Sequence, residues 1–233
     1  NRVLASAKAL TTKHDLSIGI RQAVSRVLET GPADIRLVSL STTLATNAIV
    51  ERHGAPACAL LIGYQGRIEE SVDLTQRLGI EHHVLIAGGH DANGQEWQPL
   101  DLQAARQAIR QYADRVAAFA VSGFFGTRNP AHELALRQFV TELTGLPVTC
   151  GHELTHRLDA LKRATTVSLN ASLIPLICDL IDAVEQIMQE QGIRAPLMVV
   201  KGDGSLINSR MARSRPIETI LSGPAASVVG AQH

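Results

Sequence analysis

Cysteine, aromatic side chains and an excess charge of either sign are what this chain lacks. Its three cysteines, Cys58, Cys150 and Cys178, are odd in number and widely spaced in apolar contexts. That pattern argues against a disulfide framework and predicts reduced thiols. No Cys-x-x-Cys pair occurs, so a zinc ribbon is excluded. Aromatic residues are 3% of the chain, so the core must be built from Leu, Ile, Val and Ala. Lys plus Arg equals Asp plus Glu at 22 each, a balance with no electrostatic footprint for nucleic acid or an anionic membrane. There is no charged leader followed by an apolar stretch and cleavage site. The apolar run Leu173 to Met188 is interrupted by Asp179, Asp182 and Glu185. The expectation is no nucleic-acid or membrane partner and a cytoplasmic location. A Walker A loop, a Gly-x-Ser-x-Gly elbow and a His-Glu-x-x-His helix are missing too, so P-loop, serine-elbow and helix-borne zinc chemistry have no support.

What is present is 233 residues, 45% hydrophobic and 19% charged, which suits one large α/β domain or two small ones with a real core. Asp15 is placed to cap a helix with Leu16, Ile20, Val24, Val27 and Leu28 on one face, ended by Gly31-Pro32. A strand is expected from Ile35 to Leu40, then a helix from Leu44 to Arg52 stopped by Gly54, then a buried strand from Ala57 to Ile62. Residues 63–94 read as polar and turn-rich around a short strand, Val84 to Ala87. Asp101 caps a helix bearing Ala105, Ile109, Tyr112 and Val116; Ala118 to Val121 and Val148 to Cys150 are strands, and between them a helix runs from Asn129-Pro130 to Gly145. This alternation predicts a βαβ unit with a parallel pair. A long helix follows from about Arg163 to Gln191, kinked or divided at Pro175, and Leu197 to Val200 is a further strand. Arg2 to Leu10 looks like a strand entered part-way, and Asn1 is not Met, so the chain is expected to be a piece of something longer.

Three runs carry candidate chemistry. Ser41-Thr42-Thr43-Leu44-Ala45-Thr46-Asn47 puts hydroxyls and an amide just past the carboxyl end of a strand, where open α/β sheets bind ligands; the same residues also serve as helix caps. Lys201-Gly202-Asp203-Gly204-Ser205 follows an apolar strand and offers a cation, a carboxylate and two glycines for close approach to a phosphate. Asp-Gly is equally a hairpin turn. Pro216 to Ala231 reads as a buried strand, a Ser222-Gly223 turn, Pro224 at a first helical position and a small-residue helix. Such a turn aims backbone N–H groups at one point, although small residues there also mark close packing. Among the histidines, His82, His83 and His90 with Asp73 and Asp91, or His152 and His156 with Glu153, have the residue types of a metal cluster. Neither set has a diagnostic spacing, and no metal is expected.

The three runs, in this order, resemble the ATP-dependent hydantoinase/5-oxoprolinase family. Thr42-Thr43-Leu44-Ala45-Thr46-Asn47-Ala48, Asn129-Pro130-Ala131-His132-Glu133, Arg163-Ala164-Thr165-Thr166-Val167 with Asn170-Ala171, and Ser222-Gly223-Pro224-Ala225-Ala226 are similar to its signatures. Val3 to Thr12 resembles the strand and paired threonines after its first phosphate loop. The resemblance implies an actin-like/RNase H-like ATPase framework with an inserted α/β lobe: residues 1–55 framework, 56–152 lobe, 153–233 the start of the hydantoinase A core. It implies ATP with Mg²⁺ in an intact parent, opening of a cyclic amide of hydantoin or 5-oxoproline type, and a hydantoinase B-like partner subunit or a homo-oligomer. Neither Asp-x-Gly-Gly-Thr phosphate loop of that fold occurs here, so this piece is not expected to bind ATP tightly or to turn over alone. Ser41 stands where the family has glycine, and Leu158 to Lys162 departs from its Glu-Tyr-Glu-Arg-type run. On this reading Thr42, Thr43, Thr46 and Asn47 face the substrate, and Lys201, Gly202, Asp203, Gly204, Ser222 and Gly223 line the nucleotide. The rival expectation is a non-catalytic interaction domain that binds a partner through residues 63–97.

Overall fold

Short apolar runs flanked by turn residues become strands in the computed structural model, which describes residues 3–12, 15–30 and 34–231. The chain is mixed α/β and divides into two compact units, Asn1–Thr46 with Leu176–His233, and Asn47–Pro175. The lobe expected over 56–152 falls wholly inside the second.

Asp15 accepts from Ser17 N–H at 2.9 Å and opens α1 (Leu16–Thr30). The Gly31-Pro32 stop expected for it lies outside the described residues. β1 (Val38–Leu40) is half the length expected. α2 (Leu44–Val50) ends where Arg52 takes a left-handed φ of 55° and His53 N–H closes on Ala48 O at 2.8 Å. The stop expected at Gly54 is therefore made two residues earlier by a non-glycine. Gly54 instead allows close approach, since a Cβ there would lie 2.8 Å from Ser172 Oγ. Residues 3–12 form no strand, contrary to expectation: an apolar run becomes a strand only when a neighbour pairs its backbone, and Val3 and Leu10 are exposed.

The second unit is built on four parallel strands in the order β3-β2-β6-β7. β2 (Ala57–Ile62) matches its expected span. α3 (Leu74–Leu78), capped by Asp73 and by Gly79 at φ 70°, was not expected and precedes β3 (His82–Ile86). A small hairpin, β4 (Gly89–His90) with β5 (Glu96–Gln98), follows. Asp101 accepts from Gln103 and Ala104 N–H to open α4 (Leu102–Tyr112). Then come β6 (Ala118–Gly123), α5 (Ala131–Thr144) with left-handed Gly145 behind it, β7 (Val148–Cys150) and the one-turn α6 (Gly151–Leu154). α7 (Ala160–Glu190) runs unbroken through Pro175.

Every residue of β2 and β6 is buried, as a parallel sheet covered on both faces requires. Alternation along β2 sends Cys58, Leu60 and Ile62 toward Ile109 of α4 and Leu136 and Val140 of α5. Ala57, Ala59 and Leu61 go toward Ala164, Val167 and Ala171 of α7. The alanines let the long helix lie close on the sheet. One stretch of α7 is apolar enough to cross a bilayer despite its acidic residues, but 61% of that window is buried inside the protein, which makes it a core helix.

In the first unit β8 (Leu197–Val200) pairs parallel with β1 and antiparallel with β9 (Leu206–Asn208). Asn208 accepts from Met211 N–H at 2.8 Å and caps α8 (Ser209–Ser214). The strand expected after Pro216 is instead a single 3₁₀ turn, Pro216–Thr219. Pro216 fixes φ, and Thr219 Oγ1 donates back to Pro216 O at 2.8 Å, so local bonds replace a ladder. α9 (Ser222–Ala231) starts two residues before Pro224.

Two substitutions test this architecture. Leu60→Ala, at a fully buried position of β2, is expected to cost about 2–5 kcal/mol. Asp101→Ala, which removes only a cap, should cost about 1 kcal/mol. Urea unfolding checks both, with the larger fall in midpoint for Leu60→Ala.

Candidate functional site

β1 and β8 run parallel with Leu40 opposite Val199, so their carboxyl ends open side by side. The chain leaves β1 into Ser41–Thr43 and leaves β8 into Lys201–Ser205, and the amino end of α9 comes to the same place. Ser222 Oγ donates to Thr42 O at 2.8 Å and accepts from Thr42 N–H at 3.3 Å. Thr46 Oγ1 accepts from Leu221 N–H at 3.0 Å, and Thr42 Oγ1 accepts from Leu44 N–H at 3.0 Å. A Cβ on Gly223 would stand 3.1 Å from Thr43 Cγ2. The hydroxyls thus act as caps and splices. They also join two sets of residues that the sequence assigned to different ligands. Asn47 is exposed on α2.

Leu221 holds a left-handed φ of 63°, a strained conformation for a bulky residue. It turns the chain sharply into α9, whose first helical bond is Ala225 N–H to Leu221 O at 3.2 Å. Pro224 has no N–H, so Ser222 and Gly223 supply the first-turn donors that a helix cannot use internally. Such donors are a physical basis for holding an anion.

Lys201–Ser205 is a hairpin turn, with Gly204 at φ 83°, Gly204 N–H on Lys201 O at 3.0 Å and Lys201 N–H on Ser205 O at 2.8 Å. Gly202 ties this turn to the residues before α9. Its N–H meets Glu218 O at 2.9 Å, and a Cβ there would lie 2.2 Å from Ile220 O. Lys201 Nζ pairs with Glu218 at 3.2 Å and Asp203 at 3.5 Å; the Glu218 hydrogen bond is the main cause that holds its pKa above the usual value. Asp203 accepts from Ser205 Oγ at 2.6 Å and from Ser205 N–H at 2.9 Å, which draws its pKa down to about 2. Seven of the ten residues singled out from the sequence therefore meet at the segment that leads into α9, and Asp203 and Gly204 belong to the turn that carries Lys201 and Gly202 there.

The histidines of the second unit serve other ends. His82 packs its ring 5.0 Å from that of Tyr112. His90 lies 4.3 Å from His132, and burial is the first cause depressing its pKa. His132 Nδ1 accepts from Gly89 N–H at 3.1 Å, so Nε2 carries the proton and donates to Glu96 at 2.8 Å. These bonds fasten the β4–β5 hairpin to the start of α5. The His152/His156 pair does not share a helix, because Thr155 is extended and ends α6 at Leu154. Glu153 pairs instead with Arg137.

Among the described residues, the ligand-type atoms that do converge belong to Glu133, Cys150 and His152, all within 4.8 Å of one another. Glu133 Oε1 accepts from Gly123 N–H at 2.7 Å. Its Oε2 accepts from His152 N–H at 2.9 Å and from the His152 ring at 2.5 Å. Cys150 donates its thiol to Glu133 O at 3.5 Å, and burial pushes its pKa up. With the carboxylate already engaged and the thiol kept protonated, the set acts as a structural knot. Sequence reasoning missed the role of Glu133; the available signal was an acidic residue in the first turn of a helix inside the Asn129–Glu133 motif.

Fold and junction together define a mixed α/β protein with parallel strands and a polar junction at the carboxyl ends of two of them. The hydantoinase/oxoprolinase N-terminal region matches residues 1–144 and the hydantoinase/oxoprolinase model matches residues 163–233; the chain belongs to the hydantoinase/oxoprolinase family. It is 28% identical, over 94% of its length, to caprolactamase subunit alpha of Pseudomonas jessenii. It is 26% identical, over 97% of its length, to acetophenone carboxylase gamma subunit of Aromatoleum aromaticum. It covers 35% and 36% of those proteins, so the chain spans about a third of the relatives it matches. The crystal structure of ATP-dependent caprolactamase from Pseudomonas jessenii superposes with a TM-score of 0.76 over 94% of this chain and 35% of that one. A nucleotide-free acetone carboxylase structure, at 21% identity, has a TM-score of 0.75 over 96% of this chain and 36% of that one and supports the fold.

Two measurements probe the junction. Gly202→Ala is expected to destabilise the protein by about 1–3 kcal/mol through overpacking against Ile220 O, read from the urea midpoint. Asp203 should titrate at about 2 by side-chain carboxyl NMR shifts. Ser205→Ala should move it up toward the ordinary value of about 3.9. Because the folded pKa is the lower one, any stability from Asp203 is present above the ordinary value and lost as pH falls toward 2.

Proposed function

We propose that this chain is part of an ATP-dependent enzyme that opens a cyclic amide of hydantoin or 5-oxoproline type by phosphorylating its carbonyl oxygen. The observation that carries this reading is the gathering of Thr42, Thr46, Lys201, Gly202, Ser222 and Gly223 at one sheet end, in a chain 28% identical over 94% of its length to a caprolactamase subunit. Caprolactam is itself a cyclic amide. An amide carbon is a poor electrophile, and moving a phosphoryl group onto its oxygen drains the carbon of electron density so that water can attack.

The residues present fit a phosphate. The Gly223 N–H would hold a phosphate oxygen with buried Ser222 fixing its place through Thr42, and Gly202 lets the turn lie against Ile220 O where a side chain would not fit. Lys201 would exchange part of its pairing with Glu218 for the anion. Asp203, held ionised, would face the accompanying Mg²⁺. When bound, Mg-ATP supplies the phosphoryl group; the chain's own task is to position and screen it. Thr42, Thr43, Thr46 and Asn47 would face the substrate. The relatives are called alpha and gamma subunits, which supports a partner of hydantoinase B type.

Calorimetric titration of Mg-ATP into this chain, and into a version extended at both ends to the relatives' length, tests the reading. Binding by the extended protein alone is the expected result. No binding by either folded protein would overturn it in favour of an interaction module acting through residues 63–97, where Trp97 is 65% exposed. In the extended protein Asn47→Ala should lower kcat/KM by about tenfold or more, equivalent to about 1.4 kcal/mol of transition-state stabilisation; unchanged turnover would remove Asn47 from the site.

A further inference from the structure

Arg163 heads the fully buried side chains by volume and is 1% exposed. Its guanidinium donates through Nη1 to Arg157 O at 2.8 Å, and through Nη2 to Gly123 O at 2.9 Å and Phe124 O at 2.6 Å. All three acceptors are neutral carbonyls. The surrounding carboxylates are engaged elsewhere: Glu133 with His152, Asp159 with Lys162, and Glu153 with Arg137. Among the described residues, Arg163 Nε–H has no hydrogen-bond partner although it is buried. A buried guanidinium bonded to no carboxylate, and with an unmade hydrogen bond, is unfavourable unless something offsets it.

A cavity of about 460 Å³ opens where Arg163 lies, lined by Arg77, Arg157, Lys162 and Arg163 together with three threonines. Four cations around one hollow are a strong local bias in a chain whose formal net charge is zero. The only ion pair on these four among the described residues is Lys162 with Asp159 at 3.3 Å. Arg163 links the wall of the hollow to the carboxyl end of β6 through Gly123 O and Phe124 O. The amino end of α7 lies there too, capped by Asp159 on Lys162 N–H at 3.0 Å, and adds partial positive charge.

The threonines narrow the chemistry. Thr165 Oγ1 shares its single proton between Leu161 O and Arg77 O, each at 3.0 Å, and Thr166 Oγ1 donates to Lys162 O at 2.9 Å. With their protons committed, these oxygens are left as acceptors. We propose that this cavity is a binding site for a small molecule carrying an oxyanion, a carboxylate or a phosphate, with an N–H or O–H donor beside it. Arg163 is the buried counter-charge, while Arg77, Arg157 and Lys162 form the mouth and Thr165 and Thr166 receive the donor. This site rests on the geometry of residues 77–166 and not on the nucleotide reading above.

The test is titration of the folded 233-residue chain with N-acetylglycine, with inorganic phosphate, and with chloride at matched ionic strength, followed by calorimetry or amide NMR shifts. Saturable binding of N-acetylglycine or phosphate but not chloride is expected, and the tighter of the two identifies carboxylate or phosphate as the source. The Arg77→Ala/Arg157→Ala double variant removes two exposed side chains and should weaken that binding at least tenfold with an unchanged urea midpoint. Arg163→Lys keeps the charge but not the guanidinium fork and should also weaken binding. Absence of saturable binding by the folded chain, or undiminished binding by the double variant, would overturn the proposal.

Discussion

The backbone of Gly123 is held by two buried charges of opposite sign, and much of the second unit is arranged around that clamp. Its N–H meets the carboxylate of Glu133, which also receives the backbone and ring of His152. Its carbonyl meets the guanidinium of Arg163, which also binds Phe124 O and Arg157 O. The end of β6, the first turn of α5, α6 and the start of α7 are joined through one residue. Space around the clamp is fully used: a Cβ on Gly126 would fall 2.1 Å from Glu133 Oε1. Tyr64 extends the network, touching Ser122 Oγ and Ala160 O at 2.8 Å each, and burial pushes its pKa up to about 12. Removing either charge would strand the other in a poorly solvated place, so clamp and fold stand together.

The first unit reaches its junction by a different route. There the polar side chains, apart from buried Ser222, are partly exposed and bond mainly to one another and to nearby backbone. Thr42, Thr46, Ser222 and Asp203 act there as caps and turn-makers. Capping is compatible with the binding proposed above, because the caps position the Gly223 N–H without using it. Membership of the hydantoinase/oxoprolinase family gives that arrangement its chemical context.

Legibility in the sequence followed the physics of each element. β2, β7 and β8 have the spans expected of them, because a continuous apolar run between turn residues has few other uses. Asp101 and Gly145 marked helix ends correctly because capping is a local interaction. α3, the β4–β5 hairpin, β9 and α8 went unread. Each is six residues or fewer, too short to show a period, and β4, β5 and β9 exist only because a neighbouring strand pairs with them. The strand expected after Pro216 failed for the converse reason, since no ladder was offered and a local turn took its backbone bonds. At the candidate site the residues were legible as a set, but not that Thr42 and Ser222, 180 positions apart, would bond to each other.

By itself the sequence determined the α/β class, the aliphatic core, the buried central strands, the main helix caps and the family signatures, because these depend on residue type and near-neighbour spacing. Only the tertiary structure decided that the signatures of the first unit meet at the amino end of α9. It alone decided that Glu133 and Arg163 clamp one residue, and that four cations distributed from Arg77 to Arg163 surround a single hollow. Those outcomes depend on which strand ends the sheet order places together, and that information is carried by long-range pairing rather than by any local run of residues.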